Sequence, residues 1–213
     1  MYYKEITIRY PLYNSAMSSY LEKLQGLKVH FHKKPCYIIG KGPSLDSLLP
    51  ENFTPHIPII AINESIHKIE SLNLTNKIFV IQQDNPLKNS CRPISATALV
   101  NERAKEWFSD YPDTYVFKTE ELDLLPVDLS ALAAIRIAKM LGSTKGILLC
   151  FDACLSKNTE YAKCIGHQPK GKCSRFLSYC NTIRTRANFP IAFSETEKRE
   201  RNMTTKRPIR SGI

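Results

Sequence analysis

Gly40-Lys41-Gly42-Pro43-Ser44-Leu45-Asp46 follows directly on the apolar run Cys36-Tyr37-Ile38-Ile39, so a buried-strand pattern runs into a glycine turn and then a hydroxyl and a carboxylate. Two glycines one residue apart let the backbone turn sharply beside a ligand, where a side chain would block the approach. Pro43 presets the backbone for a helical start, and Ser44 and Asp46 supply oxygens suited to capping or to ligand hydroxyls. The pattern reads as a phosphate-binding turn, although Leu45 departs from the full GxGxxG fingerprint and a plain β-turn also accounts for two glycines after a strand.

Other polar residues fall at similar places. Ile59-Ile60-Ala61-Ile62 ends in Asn63, whose amide combines donor and acceptor and suits either a base or ribose edge or a local Asx-turn. Ile78-Phe79-Val80-Ile81 leads through two glutamines to Asp84, which could hold a hydroxyl or a metal, or only start the turn before Pro86. Leu148-Leu149-Cys150-Phe151 ends in Asp152. A carboxylate at the end of a buried strand needs partners to offset its desolvation, so Asp152 is either bonded to backbone N–H groups or directed to substrate.

The elements that must position these groups alternate. Residues 1–10 read as an edge strand, Ser15 to Leu27 as a helix, Cys36 to Ile39 as the first core strand, and a helix is allowed after Pro43. Pro58 to Ile62 follows as a strand, Ser65 to Leu72 as a helix, Lys77 to Asp84 as a strand, 85–95 as a loop, Ala96 to Phe108 as a helix and Tyr115 to Phe117 as a short strand. Leu129 to Leu141 is the clearest helix, capped by Asp128 or Ser130 and closed by Gly142, and Gly146 to Phe151 is another buried strand. Strands alternating with helices predict a single-domain α/β fold, a Rossmann-like parallel sheet flanked by helices, with ligands at the carboxyl ends of the strands. The expected boundaries are a nucleotide-binding domain over 1–194 and a basic, flexible tail over 195–213.

Composition narrows the classes. A chain of 213 residues buries a sizeable core without disulfides or metal. Seven cysteines without a secreted-domain rhythm, and no apolar signal core near Met1, point to a reducing cytoplasm. No apolar run approaches the roughly 20 residues of a spanning helix, so no integral membrane segment is expected. The net charge is +10, and residues 157–213 hold 13 Lys/Arg against 4 Asp/Glu, so the basic C-terminal third is the part that would attract nucleic acid or an anionic surface. Phe176, Tyr179, Phe189 and Phe193 interleave there with Arg175, Arg184 and Arg186, a pattern able to stack bases, although most such aromatics serve a core.

The stretch Gly40 to Leu45 resembles the G-x-G-P-S-L turn of a group of bacterial and phage proteins: single-domain sialyltransferases that use CMP-sialic acid, with their relatives, the Maf-type flagellin glycosyltransferases and a pterin diphosphokinase. Ile59 to Asn63, Ser130-Ala131 opening an Ala-rich helix, and Leu141 to Asp152 fall in the same order, so the resemblance spans about residues 35 to 155. The sequence departs from it at Ala131, where the sialyltransferases have Gly, and at Cys150, where many members have Gly. The resemblance implies a glycosyltransferase-like enzyme that moves a sugar from a nucleotide-activated donor, CMP-linked in the nearest pattern, to an unknown acceptor. It implies nucleotide contacts from Gly40, Gly42, Ser44, Asn63 and Ser130, to which the turn position of Pro43 and the strand-end position of Asp84 add two candidates, and it implies no required cofactor and no metal, the nucleotide sugar being the substrate.

Such a transfer needs a base for the acceptor hydroxyl, and His167, in the loop beyond Asp152 where the family also carries its histidine, is the candidate, with Asp152 as a second catalytic group. Tyr161, Lys163, Lys170, Lys172 and Arg175 could receive the leaving phosphate or form only a solvated basic face. Cys164, His167, Cys173 and Cys180 could instead bind zinc, which would remove His167 as base, or be ordinary reduced cysteines beside a surface histidine. Two other functions stay open: pyrophosphokinase-like phosphoryl transfer, which would need Mg²⁺ and a carboxylate pair near Asp84, and a nucleic-acid or phosphate-binding module without catalysis.

Overall fold

The computed structural model describes residues 19–84, 92–124, 130–152, 161–165, 183, 186 and 189–193. Its centre is one sheet of seven strands: β1 (Cys36–Ile39), β2 (Ile59–Ile62), β3 (Ile78–Gln82), β4 (Thr97–Asn101), β5 (Thr114–Phe117), β6 (Gly146–Leu149) and β7 (Ile191–Phe193). Every pairing is parallel and the order across the sheet is β5-β4-β3-β2-β1-β6-β7. The chain walks outward from β1 to β5 and then returns to the other side of β1, so its direction across the sheet reverses between β1 and β6.

Both faces are covered, which is why β1 and β2 are apolar at every position. Ile38, Ile60, Phe79, Ile81 and Leu99 point to one face, against α1 (Ser19–Gln25), α2 (Lys28–Phe31) and α4 (Ser130–Met140). Phe31 of α2 sits on Phe79, ring centres 4.9 Å apart. Ile39, Ile59, Ala61, Val80 and Val100 point to the other face, against α3 (Ser65–Ser71) and the 3₁₀ segments Pro43–Ser47 and Glu102–Phe108. The run Ala131 to Ala134 is wholly buried, and its small side chains let α4 lie close across β1, β2 and β3.

Gly142, at φ +85°, closes α4 as its position after the apolar pattern suggested, and its carbonyl accepts from Lys33 N–H ahead of β1. The end of α4 is thereby fixed at the amino edge of the sheet, and its start, Ser130, is directed toward the carboxyl edge. Glu70 at the end of α3 ties down the entry to β4: its carboxylate accepts from the backbone N–H groups of Ile94, Ser95 and Ala96 at 2.8 to 3.0 Å.

The parallel α/β fold and the core strands follow the sequence reading, and three elements do not. Ala96 to Phe108 is not one helix: Thr97–Asn101 is a fully buried strand, and only Glu102–Phe108 turns, as a 3₁₀ segment capped by the Asn101 side chain on Arg103 N–H. The chain after Pro43 makes a 3₁₀ segment of five residues. Of the helix expected over Ser15 to Leu27, residues 15–18 lie outside the described residues, and the rest is helical as α1 but breaks at Gly26 before α2. Strand β7 was not anticipated. Residues 1–10 and the boundary at 194/195 lie outside the described residues. Among the described residues no helix is long and apolar enough to cross a membrane.

Candidate functional site at the carboxyl edge of the sheet

Because β1, β2, β3 and β6 are parallel neighbours, their carboxyl ends open on one edge. Ser44 after β1, Asn63 after β2, Asp84 after β3 and Asp152 after β6 therefore share that edge, toward which Ser130 is also directed.

The glycine turn packs against the end of β6. Gly40 N–H donates to Leu149 O and Gly42 N–H to Cys150 O, both at 2.8 Å. Added β-carbons would lie 2.3 Å from Cys150 O at Gly40, and 2.3 Å from Asp152 Oδ1 and 2.8 Å from Cys150 O at Gly42. Gly42 has φ −63° and ψ 164°, ordinary extended backbone, so its requirement is space and not conformation. The sequence argument expected a side chain there to meet a ligand. The structure corrects the reason: the first atoms it meets belong to the protein's own β6 end.

Asp152 is 4% exposed and spends both oxygens on the turn, accepting from Ser44 N–H at 3.0 Å and from Ser44 Oγ at 2.7 Å. The carboxylate thus finds the partners that burial demands, and the β1–β6 crevice, where the sheet reverses, is bridged by protein groups. Cys150 reaches this arrangement at φ +61°, the left-handed region that favours glycine. The turn also gathers the segment Tyr161–Ile165. Lys41 O accepts from Ala162 N–H at 2.8 Å, and the Asp46 carboxylate accepts from Lys163 N–H at 2.8 Å and Cys164 N–H at 3.0 Å. Partial burial of Asp46 raises its carboxyl pKa, but these N–H groups and the Lys163 charge outweigh it and hold the pKa below the usual value. Burial and the Asp46 carboxylate in turn push the Cys164 thiol up to about 11.

Next to the turn, β2 ends in a different environment. Asn63 is left-handed at φ +50°, and its Oδ1 is buried with no hydrogen-bond partner among the described residues. An unsatisfied buried amide oxygen is costly, and it sits where a ligand would meet the strand end. Ser65 ties β1 to β2, its Oγ donating to Ile39 O at 3.1 Å and Ile62 O at 3.0 Å. Between them lie Lys41 and Glu64, joined at 2.8 Å with side chains 14% and 10% exposed, and the Lys41 ammonium also stands 4.1 Å from the centre of the Tyr161 ring. Sequence reasoning passed over both. Lys41 lies between the two glycines and Glu64 directly follows Asn63, so adjacency was the available signal.

Asp84 is exposed at the end of β3, its carbonyl accepting from Gln82 Nε2. No group of three metal-ligating side chains occurs among the described residues. Pro43 occupies the first position of its 3₁₀ segment. His167, Cys173, Cys180, Lys170, Lys172, Arg175, Phe176, Tyr179 and Arg184 lie outside the described residues, as does most of the basic C-terminal third.

No family model and no curated protein matches the chain. Among solved structures it is similar to the sialyltransferase CstII from Campylobacter jejuni in complex with the substrate analogue cytidine-5'-monophosphate, with a TM-score of 0.38 and 11% identity over 76% of this chain and 80% of that one. It is also similar to a variant of CST-II in complex with CMP, at a TM-score of 0.42 and 13% identity over 76% and 80% of the two chains. For CST-II in complex with trisaccharide acceptor and CMP the TM-score is 0.39, at 12% identity over 75% and 80%.

Proposed function

We propose that the carboxyl edge over β1 and β2 binds the nucleotide part of an activated sugar, and that the chain is a glycosyltransferase-like enzyme passing that sugar to an acceptor hydroxyl. The observation that carries the nucleotide part of the reading is Asn63: a buried, unpartnered amide oxygen in left-handed backbone, beside the turn that bears the G-x-G-P-S-L pattern. A base or ribose N–H or O–H would satisfy that oxygen. In this reading Gly40, Gly42, Pro43 and Ser44 supply the phosphate side of the site, and Asp84 and Ser130 contribute from β3 and α4. The transfer step rests on the sequence resemblance, and CMP is the nucleotide it favours.

In the transfer, the bond from the sugar to the donor phosphate breaks as the acceptor oxygen bonds to the sugar. The nucleotide leaves with its phosphate, and the acceptor proton goes to a base. His167 is that base in the proposal; it follows closely on the segment that Asp46 and Lys41 hold against the turn. Asp152 supports the turn through Ser44, so its effect on turnover is that of a positioning residue. Lysine and tyrosine near the leaving phosphate replace a metal in this scheme, making the reaction independent of divalent cations.

The test is a thermal-shift and calorimetric screen of the full chain against CMP, UMP, AMP, GMP and CMP-linked sugars, paired with nucleic-acid binding at two salt concentrations. Saturable binding of a mononucleotide that is weakened in Asn63→Ala supports the reading. Salt-sensitive nucleic-acid binding without any mononucleotide binding would replace it.

A further inference from the structure

The edge of the sheet opposite the proposed nucleotide site carries one sign of charge. The segments leading into β1, β3 and β6, residues 28–34, 73–77 and 139–145, hold six lysines and no Asp or Glu. Lys28, Lys33, Lys77, Lys139 and Lys145 are exposed and Lys34 is half-buried. In the order β3-β2-β1-β6 the entries of Lys77 and Lys145 are three strand spacings apart, about 14 Å. Lys33 and Lys34 come in between them ahead of β1, with Lys139 at the end of α4 and Lys28 at the start of α2 alongside.

The backbone under these lysines is tied together. Lys34 O accepts from Thr144 N–H at 2.8 Å and from Ser143 Oγ at 2.7 Å, and Lys145 O accepts from Cys36 N–H at 2.9 Å. His32 lies against Gly142, its Nδ1 2.8 Å from where a β-carbon would stand. One carboxylate reaches the cluster, Asp113 at 3.6 Å from Lys77. His30 sits in the resulting field: burial first, then the charges of Lys77 and Lys34, lower its pKa against a smaller opposing effect of Asp113.

Soluble surfaces ordinarily intersperse both signs, and massed like charges repel one another at the expense of the compact state. The cluster therefore suits an anionic partner, and what accompanies the charge says which kind. The three segments contain no arginine, whose planar fork matches nucleic-acid phosphates. Their one Phe, Tyr or Trp is Phe31, wholly buried, so none of these rings can stack on a base. Val29, 73% exposed among the lysines, offers an aliphatic side chain instead. Lysines around an exposed aliphatic group match a lipid surface, where each cation is attracted by a diffuse layer of headgroup charge and the apolar group enters the interface.

We propose that the amino edge of the sheet is a docking surface for an anionic lipid membrane, which leaves the carboxyl edge facing away from the bilayer. This holds or fails independently of the nucleotide reading.

The experiment is co-sedimentation of the full chain with vesicles of phosphatidylcholine alone and of phosphatidylcholine with about one-third phosphatidylserine. The chain should sediment with the anionic vesicles only, and less as salt is raised. Each lysine near such a surface is worth about fivefold in partitioning, so Lys33→Gln/Lys145→Gln should weaken binding about 25-fold. Lys28→Gln/Lys139→Gln, a second exposed pair, should do the same. Lys105→Gln/Lys118→Gln, whose ammonium groups both stand by the Tyr20 ring near the carboxyl end of β5, should change binding about twofold or less. No binding to the anionic vesicles overturns the proposal. So does binding that the two amino-edge pairs leave unchanged, as it would be if the basic C-terminal third carried it, or binding that all three pairs weaken equally. Salt-sensitive binding to a single-stranded oligonucleotide that the amino-edge pairs abolish, without vesicle binding, would replace the lipid by nucleic acid.

Discussion

Asp152 is the residue whose replacement most sharply separates a structural clamp from a group aimed at substrate. Its two oxygens take the Ser44 N–H at 3.0 Å and the Ser44 hydroxyl at 2.7 Å, in a site that leaves the residue 4% exposed. Each bond to an ionised acceptor contributes about 1.5–3 kcal/mol, so Asp152→Ala, which also strands a part-buried N–H, should cost about 3–5 kcal/mol. Asp152→Asn should cost only about 1–2 kcal/mol, since its oxygen can accept from the N–H while its amide donates to a rotated hydroxyl. Ser44→Ala removes one of the two bonds, at about 1.5–3 kcal/mol. The two residues share that bond, so the Asp152→Ala/Ser44→Ala double variant should fall short of the sum by about 1–2 kcal/mol. Urea unfolding of the four proteins measures this. Strict additivity, or a loss below about 1 kcal/mol in Asp152→Ala, would refute the clamp.

Three further outcomes follow from particular contacts and a fourth from the proposed chemistry. Gly42→Ala puts a β-carbon 2.3 Å from Asp152 Oδ1 and 2.8 Å from Cys150 O, so it should lower stability by about 2 kcal/mol or more, and an unchanged urea midpoint would contradict the packing described. Glu70→Ala strands the N–H groups of Ile94, Ser95 and Ala96; allowing for their exposure, about 1–2 kcal/mol should be lost, read as a lower melting temperature. On the acid side, the depressed Asp46 carboxyl contributes stability that is complete above its unfolded pKa near 4 and is lost as pH falls through its lower folded value. Asp46→Asn should therefore flatten the urea midpoint against pH below about 4, and an identical slope would refute the capping role. His167→Ala, in a preparation shown to be active, should lower turnover by a factor on the order of 10² to 10⁴ with nucleotide affinity nearly unchanged, and full turnover would exclude it as the base.

Histidine 30 adds a second acid-side term. Burial, then the charges of Lys77 and Lys34, hold its pKa below the usual value. The unfolded chain takes up that proton first, so this contribution is complete above about pH 6.5 and is lost as pH falls through the lower folded value.

The core strands were legible because a parallel sheet covered on both faces leaves unbroken apolar runs, and Cys36–Ile39, Ile59–Ile62 and the first four residues of β3, Ile78 to Ile81, are such runs. Ala96-Thr97-Ala98-Leu99-Val100 misled because alanine and leucine favour helix, while its environment, fully buried between β3 and β5, selects strand. Strand β7 has only Ile191, Ala192 and Phe193, too short for any period to register. The position of Asn63, Ser44 and Asp152 on one edge was readable once the sheet was taken as parallel. The reason for Gly42 was not, because the carboxylate it accommodates comes from a residue 110 positions later in the chain. The Lys41–Glu64 pair was hidden for the same reason: neighbours across two parallel strand ends have no periodic signature in sequence.

The central claim is that a nucleotide sits over the carboxyl ends of β1 and β2. Amide chemical-shift changes during titration of the isotope-labelled full chain with CMP test it directly. The account predicts saturable shifts centred on Lys41, Gly42, Ser44, Asn63 and Glu64, with Lys33 and Gly142 at the amino edge unmoved; shifts centred on the amino edge, or none with CMP or any other ribonucleotide, would contradict it.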